Sequence, residues 1–182
     1  MKMERINMNK HRLTVLIGMV LTAVMSRLIP HPPNFTPIAA LALFGGANFA
    51  DKRTAFLVPL AALFLSDLFL GFSMLTPVVY GSFALIVCLG FWLRRRRTVG
   101  RIAATAFTGA VMFFILTNLG VWAFTPLYPR TLNGLAECYV AALPFFRNTF
   151  AGDLMYSGLL FGGLVLAEKR WPSLAEAAAA VA

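Results

Sequence analysis

Apolar residues in this chain gather into runs long enough to cross a bilayer, and that constrains the fold more than anything else. In hydrocarbon no water is available to backbone N–H and C=O groups, so a run of about 20 residues must bond to itself as a helix. Such runs occupy residues 13–29, 37–50, 54–71, 77–93, 102–124 and 148–167. Only 13% of the 182 residues are charged, against roughly 25% in a soluble domain. The expected fold is an all-α membrane protein, a six-transmembrane-helix bundle over residues 1–170 with a cytoplasmic tail at 171–182. No length is left for a separate soluble catalytic domain.

The segments between runs carry the breakers. His31-Pro32-Pro33-Asn34-Phe35-Thr36-Pro37 cannot be helical, because proline lacks a donor and restricts the residue before it. Pro37 suits a first helical position, with Thr36 as its cap. The polar turn Asp51-Lys52-Arg53 ends this short second run. Pro126, Pro129 and Pro144 interrupt residues 125–147, where 132–143 predicts a short interfacial helix separate from the sixth span. The first run has the basic start of a signal peptide, but it is long, runs into Arg27 and the prolines, and lacks an Ala-x-Ala site. It reads as a retained span.

Lysines and arginines set the orientation. With the N-terminus inside, Lys2, Arg5, Lys10, Arg12, Lys52, Arg53, Arg94, Arg95, Arg96, Arg97, Arg101, Lys169 and Arg170 are cytoplasmic, and only Arg27, Arg130 and Arg147 are outside. The alternation needs all six spans. It predicts a multi-pass protein of the cell inner (plasma) membrane with both termini cytoplasmic. The net charge of +9 therefore belongs to loops facing a lipid bilayer, not to a nucleic-acid surface. Cys88 and Cys138 fall on opposite sides and read as packing residues.

Charges and amides inside spans are costly and point to function. Arg27, Asp67, Asn118 and Asp153 are all expected at similar depth near the outer ends of their spans. His31, Asn34, Tyr80, Trp122, Tyr128, Glu137, Tyr139, Arg147 and Asn148 lie in or near the outer loops. Aromatic walls with a few convergent polar groups suit a small-molecule pocket. The candidate substrate-binding residues are Arg27, Asn34, Asp67, Asn118, Trp122, Arg147 and Asp153. A plainer reading stands beside this one: Arg27 and Asp67 neutralise each other and pin two spans, Asn118 bonds between helices, and the aromatics are interfacial. Small residues Thr14, Gly18, Thr22 and Ser26 recur every fourth position in the first span, a surface that admits another helix closely. No Gly-Lys-Ser/Thr loop, His-Glu-x-x-His, Cys-x-x-Cys or Gly-x-Ser-x-Gly is present, so no cofactor, metal or catalytic residue is expected. A membrane enzyme using Asp67 and Asp153 as acid and base, or a structural subunit with no pocket, are the alternatives.

The stretch from Pro33-Asn34-Phe35-Thr36-Pro37 through Gly45-Gly46-Ala47, followed by Pro59-Leu60 and Ser66-Asp67-Leu68-Phe69-Leu70-Gly71, resembles a family of small bacterial membrane proteins of uncharacterised function. Thr117-Asn118-Leu119-Gly120-Val121-Trp122, Tyr128-Pro129 and Pro144-Phe145-Phe146-Arg147-Asn148 fit that family too. More distantly, the chain is similar to the S components of energy-coupling factor (ECF) transporters; the resemblance covers residues 27–161. It implies an outward pocket for a vitamin-like nutrient, energised by a separate membrane T-type subunit and ATPases. S components dock through an Ala-x-x-x-Ala stripe on the first helix, where this chain has Gly18, Thr22 and Ser26.

Overall fold

The computed structural model of the protein describes residues 10–175. Among these residues the regular structure is helical: α1 Lys10–Met25, continued by a 3₁₀ turn Ser26–Leu28, then α2 Ile38–Asn48, α3 Lys52–Leu70, α4 Thr76–Leu93, α5 Val99–Phe124 and α6 Leu132–Arg170, with a last 3₁₀ turn Pro172–Leu174. Five of the six helices are long and apolar enough to cross a membrane. Their outward faces carry Leu57, Phe69, Trp92, Val99 and Leu166, all well exposed, as a surface facing lipid tails would. Lys2, Arg5 and most of the alanine-rich tail lie outside the described residues.

Polar caps fix where the helices begin. The Asp51 carboxylate accepts from the Thr54 N–H at 2.9 Å and starts α3. Thr131 accepts from the Gly134 N–H at 3.1 Å and starts α6. Thr98 does the same for α5 at 3.4 Å. Each satisfies a donor that the first turn leaves without an intrahelical partner. At α2 the expected Thr36 cap is absent: the cap position falls on Pro37, which has no side-chain bond to offer.

α2 is the hub. Its 11 residues span only about 16 Å at about 1.5 Å per residue, roughly half the hydrocarbon thickness. Every one of them is buried. Its composition allows that position, because small residues let neighbours come close. A Cβ on Gly90 of α4 would lie 2.8 Å from the Gly46 Cα, so the two backbones cross at a glycine pair. Further along, Phe44 packs edge-on against Phe161 of α6, with ring centroids 5.2 Å apart. Arg94 then closes the end of α2, donating to the Gly46, Phe49 and Ala50 carbonyls at 2.8, 2.6 and 3.3 Å. Gly46 is in the final turn of α2 and Phe49 and Ala50 follow it, a place where a cation is also favoured by the helix dipole.

The sixth span is not preceded by a separate interfacial helix. α6 runs unbroken for 39 residues through Pro144, about 58 Å by the helical rise. Contacts with α5 hold its first third in line. Tyr139 donates to the Ile115 carbonyl at 2.8 Å, the Cys138 thiol to the Asn118 carbonyl at 3.4 Å, and Phe114 meets both Tyr139 and Phe146. Proline removes one intrahelical bond, and this side packing outweighs that loss.

Arg12, Lys52, Arg94 to Arg97, Arg101, Lys169 and Arg170 occupy helix termini at one end of the bundle, here the basic end. Arg12 is buried there, paired with Glu168 at 2.5 Å and bonded to the Leu174 carbonyl, which ties α1, α6 and the last turn together. Loops 29–37, 71–75 and 125–131 form the opposite end. Both cysteines are free.

Candidate functional site

A charged node sits toward the opposite end, built from α1, α3 and α4. The 3₁₀ turn after α1 swings Arg27 into the bundle. Its Nη1 donates to Asp67 Oδ1 at 2.6 Å and to Ser66 Oγ at 2.5 Å. Tyr80, on the second turn of α4, donates to the other carboxylate oxygen at 2.9 Å. Ser66 in turn donates to the Leu63 carbonyl at 2.7 Å. Both oxygens of Asp67 are therefore satisfied. α3 stops one turn later at Gly71, whose φ of +92° only glycine adopts readily and whose N–H returns to the Asp67 carbonyl at 2.7 Å. The Arg27 and Asp67 side chains are 18% and 10% exposed. That places the pair between a surface bridge, worth little, and a buried one, whose disruption costs several kcal/mol.

The node is joined to α6 and to loop 29–37. Ser26 donates to the Tyr156 hydroxyl at 3.1 Å, and the Tyr156 ring meets Phe35 at 6.0 Å. Asn148 donates to the Pro33 carbonyl at 3.0 Å. Asn34 caps the loop with a φ of +62°, which asparagine tolerates better than most residues, and its side chain is exposed.

Asp153 is held quite differently. It is 2% exposed and lies on α6 facing a narrow void lined by Ala39, Ala40, Leu43, Ile86, Thr105 and Ser157. The void is too narrow for a water molecule. Neither Asp153 Oδ2 nor Ser157 Oγ has a hydrogen-bond partner among the described residues. No residue of this void belongs to the Arg27–Asp67 node.

The other predicted residues go elsewhere. Asn118 donates to the Phe114 carbonyl of its own helix at 2.8 Å. The Trp122 indole donates to the Pro129 carbonyl at 2.9 Å and lies under the Arg130 guanidinium, so it braces the α5–α6 turn. Arg147 is exposed on α6. Of the seven candidates, the structure brings Arg27 and Asp67 into contact. Sequence reasoning placed Tyr80 only among the loop aromatics and missed Ser66, Tyr156 and Ser157. Ser157 had a signal, standing one turn beyond Asp153 on the same helical face.

On α1, Thr14, Gly18 and Thr22 face outward, and nothing lies within 4 Å of where a Gly18 Cβ would sit. Ser26 turns inward to Tyr156 instead. Two open grooves lie toward the basic end. One of about 410 Å³ is lined by Phe91, Trp92, Arg95, Arg96 and Arg101. The other, about 570 Å³ between α5 and α6, reaches from Ser157 and Phe161 to Asn48, Arg97 and Glu168. Among the described residues no group of three or more His, Cys, Asp or Glu side chains could hold a metal.

Five apolar helices long enough to cross a membrane, packed around one short buried helix with an ion pair held among them, suit a helical membrane protein. The chain belongs to a family of unknown function, DUF6580, whose model matches residues 7–174. No curated protein and no solved structure matches it.

Proposed function

We propose that the chain is a substrate-binding membrane subunit of a transporter, similar in role to an ECF S component, which captures a small water-soluble nutrient at the end opposite the basic loops. The observation that carries this reading is how Arg27 is used. Both of its bonds come from Nη1, so Nε and Nη2 hold no protein partner among the described residues. A guanidinium already steadied by Asp67 and Ser66 keeps two donors for a carboxylate or phosphate, the geometry that bidentate recognition needs. Tyr80 bonds Asp67 and Tyr156 bonds Ser26 beside Arg27, so both rings are at hand for a bound solute. The outward stripe Thr14, Gly18, Thr22 supports docking of a membrane T-type partner, with ATPases supplying energy. The acid–base alternative draws less support, since Asp67 and Asp153 sit in separate surroundings.

Mass spectrometry of small molecules released from gently purified protein tests the proposal. A stoichiometric anionic compound should accompany the wild type and be lost from Arg27→Lys, which keeps the charge opposite Asp67 but not the planar fork. A wild type that carries nothing, or a compound retained by the variant, sinks this reading.

A further inference from the structure

Asp153 is the most heavily buried carboxyl group in the described bundle, and nothing in the solute-binding reading uses it. Its void is walled by Ala39, Ala40 and Leu43 from α2, Ile86 from α4, and Thr105, Ala106 and Gly109 from α5. None of these residues is charged or titratable. α6 itself adds Ser157, and α1 meets α6 through Ser26 and Tyr156 at a separate contact. Besides Asp153, the polar side chains lining this void are two hydroxyls. Thr105 already gives its proton to the Arg101 carbonyl at 2.6 Å, and Ser157 Oγ has no partner.

An ionised carboxylate in such a place would have lost its water without gaining a cation or a donor, which is among the costliest arrangements a protein can hold. The void also has no room for water to make up the loss. Protonation removes the charge and turns the unpaired Oδ2 from an orphaned acceptor into a donor, with Ser157 Oγ one turn away on the same face. Ser157 has a second side as well. It lines the 570 Å³ groove that runs between α5 and α6 toward Asn48, Arg97 and Glu168 at the basic end. Ser157 is the residue common to the linings of the narrow void and the wider groove.

We propose that Asp153 is a proton-binding site in the interior of the bundle, exchanging its proton with the basic end through Ser157 and the α5–α6 groove. With the proton bound, α6 stays packed on α2 and α5. When it leaves, the charge must find water, and the nearest open space is the α5–α6 groove beyond Ser157. The site is independent of whether Arg27 binds a solute, because the two share no residue.

Infrared spectroscopy of the purified full-length protein in lipid nanodiscs tests this directly. The wild type should show the carbonyl band of a protonated carboxyl that moves on transfer to D₂O, and Asp153→Asn should lose that band. No such band, one that ignores D₂O, or one retained in Asp153→Asn overturns the proposal. Should Asp153→Asn fail to fold, the wild type is treated with a hydrophobic carbodiimide instead. There the acid proton adds to a carbodiimide nitrogen and the carboxyl oxygen to its central carbon, and acyl migration then leaves a stable N-acylurea. Peptide mass spectrometry should find that adduct on Asp153, in a yield that falls as pH rises. No adduct on Asp153, or one formed equally at every pH, overturns it.

Discussion

Asp67 and Asp153 are both aspartates on apolar helices, Asp67 in the last turn of α3 and Asp153 near the middle of α6, yet the bundle treats them in opposite ways. Asp67 receives Arg27, Tyr80 and, through Arg27, Ser66, so each carboxylate oxygen is bonded and its charge is balanced. Asp153 receives nothing on Oδ2, and its neighbours are alanines, aliphatics and two hydroxyls. A carboxylate in a membrane bundle is therefore not one kind of feature. Its role follows from what the adjoining helices place opposite it. The first arrangement ties α1, α3 and α4 together and leaves spare donors near a surface. The second burdens the bundle, and a burden of that kind persists where a movable proton is useful.

Three substitutions would break or sharpen the contrast. The largest effect belongs to Asp67→Ala, which strands the Arg27 guanidinium in a mostly buried place. Thermal unfolding in detergent should show a loss of about 1–3 kcal/mol, and Arg27→Met on the same background should recover part of it. A neutral single variant would mean that the node holds nothing together. Next comes Asp153→Leu, with the opposite sign expected. Removing an orphaned acceptor and filling part of the void should raise stability by about 1 kcal/mol or more. A loss comparable to that of Asp67→Ala would reveal a partner for Asp153 and erase the contrast.

The smallest effect concerns Asp51, a third carboxylate that lies outside the spans in full contact with solvent. The Thr54 N–H holds its carboxyl below the usual value of 3.8, so the folded state favours the ionised form. The cap then contributes fully above that value and is lost as pH falls through the lowered one. Wild type and Asp51→Ala should differ in unfolding temperature at neutral pH and converge in acid. A difference that persists in acid would separate the cap from its charge.

Much of the helical plan was legible in the residues. The apolar runs, the proline segment at 31–37 and the Asp51-Lys52-Arg53 turn placed the six helices, the second of them short, with boundaries off by a few positions except at α6, which begins at Leu132 and not near Asn148. The Arg27–Asp67 contact was also readable as a neutralising pair, because two opposite charges at one depth have few other ways to be tolerated. The α6 continuity was not readable. Pro144 is a local signal to stop, and the packing of Phe114, Tyr139 and Phe146 that overrides it comes from another helix. Asn118 and Trp122 shared a depth with Arg27 and Asp67, but depth along a helix says nothing of the direction a side chain takes around it.

The sequence by itself determined that the chain is helical and built for a membrane, since a long apolar run has no other way to satisfy its backbone in hydrocarbon. It also determined which residues carry charge in the apolar spans. Only the tertiary structure decided that α2 is the hub, that Arg27 and Tyr80 complete Asp67, and that Asp153 Oδ2 has no partner among the described residues. Pairing depends on which helix faces meet, and the meeting is set by close contacts such as Gly46 with Gly90, residues far apart along the chain.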